Sequence, residues 1–220
     1  METTKRRHPL RKLLQFGLLA LVATLLASCA SSDGYGGGAG NFHTVIVDAG
    51  HGGHDRGARP VNGAYEKDLA LDTSLRVARV LRGKGFKVIE TRTSDNFIPL
   101  ERRAAISNSQ SGAIFVSIHY NWAKRSGATG LETYYYSPRS KRLAANIQKE
   151  IRGAYPTKNR GVKYARYHVL RNNKRPAVLC ELGFVSSSYD NRYVQNASYR
   201  QKLADEIVAG IIAEQRGRNP

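Results

Sequence analysis

With 220 residues, 41% of them hydrophobic and 24% charged, the chain has enough apolar material for one domain with a real core, which excludes a disordered or collagen-like polymer. A formal net charge of +18 at pH 7 points to anionic partners reached by long-range attraction. Only two cysteines are present, which excludes a disulfide scaffold.

Lys5, Arg6, Arg7, Arg11 and Lys12 form a basic stretch ahead of Leu13 to Leu26, which is apolar apart from Gln15, Gly17 and Thr24. This reads as a secretory signal, too short and wrongly flanked for a transmembrane helix. Its end, Leu26-Ala27-Ser28-Cys29, resembles the bacterial lipobox, which implies cleavage before Cys29 and lipidation of that thiol. Ala30 follows rather than Asp, which resembles outer-membrane lipoproteins of double-membraned bacteria. The expected organisation is a lipoprotein signal peptide over 1–28, a flexible Gly/Ser tether over 29–41 and a globular domain over 42–220. The mature chain is expected to be exported, periplasmic and lipid-anchored at Cys29 to the outer membrane. Removing 1–28, with five Lys or Arg and one Glu, leaves a net charge of about +14. For an exported protein that surface suits an anionic cell wall, and nucleic acid is not an expected partner.

From Phe42 onward strands and helices alternate. Thr44–Asp48 reads as a strand and Glu66 to about Arg82 as a helix, with Leu71, Leu75, Ala78 and Leu81 on one face. Gly83-Lys84-Gly85 ends that helix. A strand follows at Phe86–Thr91, a helix near Leu100–Ser109 and a strand at Ala113–His119, whose unbroken apolar run predicts burial on both faces. Leu131–Tyr136 is a strand and Lys141–Ala154 a helix. Tyr164–Leu170 and Ala177–Leu182 are the last strands, and Ser198–Gln215 the last helix, with Leu203, Ile207 and Ile211 on one stripe. The fold class expected is α/β: a single layered domain with a mainly parallel, twisted sheet of about six strands and helices on both faces.

Four residues carry the chemistry. His51 follows a strand through Asp48-Ala49-Gly50-His51-Gly52-Gly53, His119 closes Ala113–His119, and Glu181 closes Ala177–Glu181. Sites in open α/β sheets form beyond the carboxyl ends of strands, so three such ends suggest one shared site. Two imidazoles and a carboxylate make a plausible catalytic metal set, with Glu66 as the carboxylate. Glu66 also opens a helix, where a carboxylate is favoured with no further role. The glycines permit the turn that aims His51, or alternatively cradle a phosphate, although no Lys-Ser or Lys-Thr follows. Cys180 and Glu181 are strand neighbours and must face opposite ways, so Cys180 is expected to be buried.

Asp48-Ala49-Gly50-His51-Gly52-Gly53-x-Asp55-x-Gly57-Ala58 with Glu66-Lys67-Asp68 closely resembles the N-acetylmuramoyl-L-alanine amidases of bacterial cell walls. Thr91-Arg92-x-x-Asp95 with Leu100-x-x-Arg103, Ser117-Ile118-His119-x-Asn121 and Pro176–Phe184 extend the likeness, in order, from about Thr44 to Ile212. The resemblance implies a Zn2+ ion held by His51, Glu66 and His119, and Glu181 as the catalytic carboxylate. It implies hydrolysis of the amide between the lactyl group of N-acetylmuramic acid and the L-alanine of the peptidoglycan stem peptide. Asp55 is expected to support a metal-bound imidazole, and His54 to be a solvated loop residue. Arg92 and Arg103 are expected in structural ion pairs, Asn121 near substrate, His43 and His168 at strand edges, and Tyr134–Tyr136 in β packing.

Tyr120 stands where the family commonly has a small residue, which predicts an altered pocket width. The connection from Tyr136 to Gly161 has room for one modest helix and none for a helix that would plug the site, so no obligate activator is expected. Two other readings stay open: a zinc peptidase cutting within the stem peptide, and a non-catalytic wall-binding lipoprotein.

Overall fold

The computed structural model describes residues 39, 41–124 and 127–217. The expected signal peptide, Cys29 and nearly all of the expected tether lie outside the described residues. The elements are β1 (Thr44–Ala49), α1 (Glu66–Gly83), β2 (Lys87–Glu90), α2 (Leu100–Asn108), β3 (Ala113–Asn121), β4 (Leu131–Tyr135), a 3-10 turn (Pro138–Ser140), α3 (Lys141–Ile151), β5 (Asn159–Tyr164), α4 (His168–Arg171), β6 (Ala177–Phe184), α5 (Ser188–Val194) and α6 (Ala197–Gln215).

One six-stranded sheet runs in the order β2-β1-β3-β6-β4-β5. All pairings are parallel except β4 against β6. The sheet is therefore mixed but mainly parallel, as the alternation of elements predicts. β1 and β3 are central and buried on both faces, so their sequences are apolar at odd and even positions alike.

The two faces are unequal. On one, Val45, Val47, Ile114, Val116 and Val178 meet the long helices α1, α3 and α6. Leu203, Ile207 and Ile211 of α6 are fully enclosed there, as their spacing predicts, and each contributes about 1.5–3 kcal/mol by leaving water. Helix α6 approaches α3 closely because residue 210 is glycine: a Cβ there would stand 2.5 Å from the Ile147 Cα. On the other face Ile46, Phe115 and Leu179 are covered only by the short α4 and by Ile106 of α2. Phe42 is buried and stacks on Phe86, and Ala39 before it also packs against this core.

Three sequence expectations need correction. The buried stripe of α1 runs through Leu69, Thr73, Val77 and Leu81, and Leu75 is exposed. Polar Thr73 lies on that stripe because its hydroxyl is hydrogen-bonded to the buried Tyr120 hydroxyl at 2.7 Å. The fifth strand is Asn159–Tyr164, not Tyr164–Leu170. Val169 and Leu170 are apolar because α4 buries them on the thin face, not because they extend the sheet. Finally, α5 was not expected; the Ser187 side chain caps it by accepting from the Asp190 N–H.

Candidate active site

The loop leaving β1 carries His51 in the left-handed region, with φ of 58°, unique among the described non-glycine residues. A conformation of this kind persists only where its surroundings hold it. Arg103 and Arg92 do so. Arg103 donates to the Ala49 and His51 carbonyls at 2.5 and 2.6 Å, and to the Asp48 carboxylate at 2.8 Å. Arg92 donates to the carbonyls of Ala49, Gly50, Lys67 and Ser94. The ion pair expected for Arg103 is therefore present. Arg92 forms none among the described residues; it acts by gathering carbonyls, those of Ala49 and Gly50 where the chain turns after β1 and those of Lys67 and Ser94 beside it.

Asp48 is the hub that sequence reasoning passed over. Its fully buried carboxylate accepts from Arg103, Thr91 Oγ1 and Ser117 Oγ, the last two at 2.6 Å. Burial alone would raise its pKa, but Arg103, Ser117 and Thr91 outweigh that and hold it below the usual carboxylate range. An acid inside an otherwise apolar strand run was the available signal.

His51, Glu66 and His119 meet across this scaffold. Glu66 Oε1 lies 3.0 Å from His51 Nε2 and 2.9 Å from His119 Nδ1. One ligand atom from each residue falls within 4.8 Å of the others. Glu66 is buried and accepts from the backbone N–H of Ala58 at 2.6 Å and of Tyr120 at 3.0 Å, so it is no mere helix-start carboxylate. Burial pushes its pKa up, yet hydrogen bonds from His119 and His51 outweigh this and keep it ionised. Asp55 Oδ2 lies 2.8 Å from His51 Nδ1. That contact places the proton on Nδ1 and leaves Nε2 for a ligand. Burial would lower the His51 pKa, but Glu66 and then Asp55 raise it on balance.

Two glycines make the cluster possible. A Cβ on Gly50 would stand 2.3 Å from the His119 ring, and one on Gly57 2.6 Å from Glu66 Oε2 and 2.7 Å from His51 Cδ2. Two imidazoles and one ionised carboxylate, packed without room for a methyl group, fit a divalent metal of the zinc type.

Glu181 pairs in register with His119 across β3 and β6. Both residues line one cleft of about 910 Å³ with His51, Glu66 and Asn121. Glu181 is partly open to that cleft, but its Oε2 is enclosed and has no hydrogen-bond partner among the described residues. Burial first, then the charges of Glu66 and Glu132, push its pKa well above the ordinary carboxylate value. Glu132 stands opposite Glu181 on β4; Arg160 and Lys163 neutralise its charge and the Tyr134 hydroxyl donates to it, all at 2.5–2.6 Å. Sequence reasoning did not single out Glu132; its apolar-flanked place in Leu131–Tyr136 was the only hint.

The remaining residues divide. Asn121 lines the cleft. His54 is exposed as expected, although its ring lies on Phe97. His168 is not at a strand edge: it opens α4 and lines the cleft, because the chain has already left the sheet. Tyr120 does not narrow the pocket. Its ring joins the core under the long helices, and only its backbone N–H serves the site. Cys180 faces away from Glu181 into that core, where burial pushes its pKa up to about 12.

A single α/β domain that gathers a His₂Glu set and a carboxylate with an unpartnered oxygen from its strand ends and the start of α1 defines a metal-dependent hydrolase. Residues 45–213 match the family model Amidase_3, described as N-acetylmuramoyl-L-alanine amidase. The chain belongs to that family and is an enzyme of that class. It is 41% identical over 172 residues to YqiI of Bacillus subtilis (strain 168), covering 76% of this chain and 82% of that one. It is 36% identical over 177 residues to the N-acetylmuramoyl-L-alanine amidase LytC of the same organism, covering 79% of this chain but only 36% of LytC. The crystal structure of an N-acetylmuramoyl-L-alanine amidase from Clostridium difficile 630 aligns with a TM-score of 0.75 at 36% identity, covering 79% of this chain and 96% of that one.

Proposed function

We propose that this enzyme hydrolyses the amide joining the lactyl group of N-acetylmuramic acid to the L-alanine of the peptidoglycan stem peptide. In this reading a zinc ion is held by His51, Glu66 and His119, and Glu181 is the catalytic carboxylate. The observation that carries the reading is the convergence of those three ligand atoms within 4.8 Å beside a carboxylate in register with one of them. A zinc ion held there supplies Lewis-acid polarisation of the scissile carbonyl and makes water more acidic.

The chain's own groups do the rest. Glu181, poised by burial to accept a proton, takes one from the attacking water and passes it to the leaving amine of L-alanine. Asp55 keeps the His51 ring in one tautomer and orientation. Glu132 carries its own counter-cations and leaves Glu181 as the carboxylate free to exchange protons. Asn121, at the end of β3, is placed to hydrogen-bond substrate amides. Export and a lipid anchor at Cys29 would hold this domain near the wall, with its positive charge drawn to wall carboxylates.

The test is mass spectrometry of purified peptidoglycan digested with the full chain, alongside Glu181→Gln and chelator-treated protein. Release of stem peptides beginning with L-alanine by wild type only is the expected result. Cleavage within the peptide, or equal release by Glu181→Gln, would refute the reading.

A further inference from the structure

Among the described residues eight large hydrophobic side chains are exposed. Four of them, Phe97, Leu100, Trp122 and Tyr167, line the cleft that holds the site. Scattered exposed apolar residues are ordinary on a protein surface, but a cluster around one cleft marks a binding surface. These four come from three separate places in the chain: the loop and helix start after β2, the end of β3, and the segment after β5. Only the fold brings them together.

Trp122 stands out. It follows Asn121 directly, and its backbone N–H donates to the Asn121 side chain at 2.8 Å, tying the two residues together. The Trp122 residue is 52% exposed and belongs to neither core cluster, so it adds little to stability. Tyr167 is also 43% exposed, yet its ring sits edge-on to Tyr134, whose hydroxyl is fixed on Glu132. One rim aromatic is thus braced from behind and the other is set on the shoulder of the catalytic strand.

The two halves of a muramoyl-peptide differ in what they offer such a rim. L-alanine presents one methyl group, and the carboxylates of a stem peptide gain nothing from an aromatic face. A pyranose ring presents a flat face of C–H groups, with polar hydroxyls around its edge, and the N-acetyl group adds a methyl. An indole matches that face, while Asn121, Arg59 and His168 in the same cleft match the polar edge. We propose that Trp122, with Tyr167, is the platform on which a pyranose ring of the glycan stacks, and that it sets preference for sugar-bearing substrates. This proposal rests on the amidase reading and adds a specificity-determining residue to it.

Trp122 is the only tryptophan in the chain, so emission excited on the red side of the tyrosine absorption reports on it alone. The zinc-loaded full chain carrying Glu181→Gln is titrated with a disaccharide-tetrapeptide fragment of peptidoglycan and, separately, with the same tetrapeptide without sugar. A saturable blue shift with the first and none with the second is expected. In the active enzyme Trp122→Ala is expected to raise KM about tenfold with kcat within about twofold, at unchanged melting temperature, and Trp122→Phe to recover most of the loss. An unshifted emission on saturation with the sugar-bearing fragment, an equal shift with the bare tetrapeptide, or a wild-type KM for Trp122→Ala would each overturn the platform. In those cases continued release of stem peptides by the wild type leaves the amidase reading intact. A wild type that releases none defeats both.

Discussion

Replacing Arg103 by Met keeps the length of the side chain but removes its charge and all its donors. Arg103 is 2% exposed, and its guanidinium serves the carbonyls of Ile98, Ala49 and His51 and the Asp48 carboxylate. Removing one partner of a buried ion pair costs ~3–5 kcal/mol, because the charge left behind has lost its compensation. For a domain of this size that corresponds to a fall in melting temperature of roughly 6–20 °C. Denaturant unfolding in the presence of chelator measures the loss apart from any contribution of metal. The loss depends on pH in a definite direction. In the wild type Asp48 has a lowered folded pKa, so its stabilisation is fully present above about pH 4 and is lost as pH falls through the folded value. Without Arg103 the dominant remaining influence is burial, which raises the Asp48 pKa. The deficit of the variant is therefore largest near neutral pH, shrinks as pH falls through that raised pKa, and goes on shrinking down to the lowered wild-type one. Because the Arg103 guanidinium also holds the His51 carbonyl, zinc affinity should fall together with stability. A loss under about 1 kcal/mol at pH 7, or one that does not change down to pH 3, would refute this account of the scaffold.

Glu181→Gln is expected to lower kcat by about 10²–10⁴ while metal content, measured by atomic emission, stays at the wild-type level. Gly57→Ala should weaken zinc at least about tenfold, since its methyl would press on Glu66 and His51 at a φ of 66°; Gly85→Ala, with a similar φ of 85° but open space, should leave zinc affinity alone. Competition with a metallochromic chelator separates the two variants. In a Cys29→Ser background Cys180 should resist a thiol reagent at pH 8 in the native protein and react fully in denaturant, in keeping with its enclosure and a pKa pushed up to about 12. Rapid native labelling would show that β6 opens far more readily than a central strand should.

What could be read from the sequence follows from which signals are local. The runs at Thr44–Asp48 and Ala113–His119 carry consecutive apolar residues, Val45 to Val47 and Ala113 to Val116, because both faces are covered, and such strands announce themselves. His51, His119 and Glu181 were legible because a polar group at the end of such a run has few structural reasons to be there. β5 was not legible. It is an edge strand of sequence Asn-Arg-Gly-Val-Lys-Tyr, with Gly161 at a φ of 78° where its pairing with β4 shifts register. Its polar residues answer to Glu132 across the sheet, a partner about 30 positions away that no local pattern reveals. The same holds for Arg92, whose carbonyl acceptors Ala49, Gly50 and Lys67 lie 25 to 43 positions away and meet it only once β1, its turn and the start of α1 have packed together. Helix α5 could have been found: Ser187 with Asp190 three residues on is a helix-start signature.

Strand β6 presents a thiol to one side and a carboxylate to the other at consecutive positions, between β3 and β4. A shift of this strand by a single residue would exchange them, burying an acid under the long helices and presenting sulfur to the cleft. Pairing on both edges blocks such a shift, and the irregularity beyond Glu181, where β6 carries an additional residue against β3, absorbs the change of phase only after the carboxylate has been placed. Residue count along this strand is therefore under tighter constraint than residue identity. A one-residue deletion between Ala177 and Glu181 could leave the chain folded and would still abolish its chemistry.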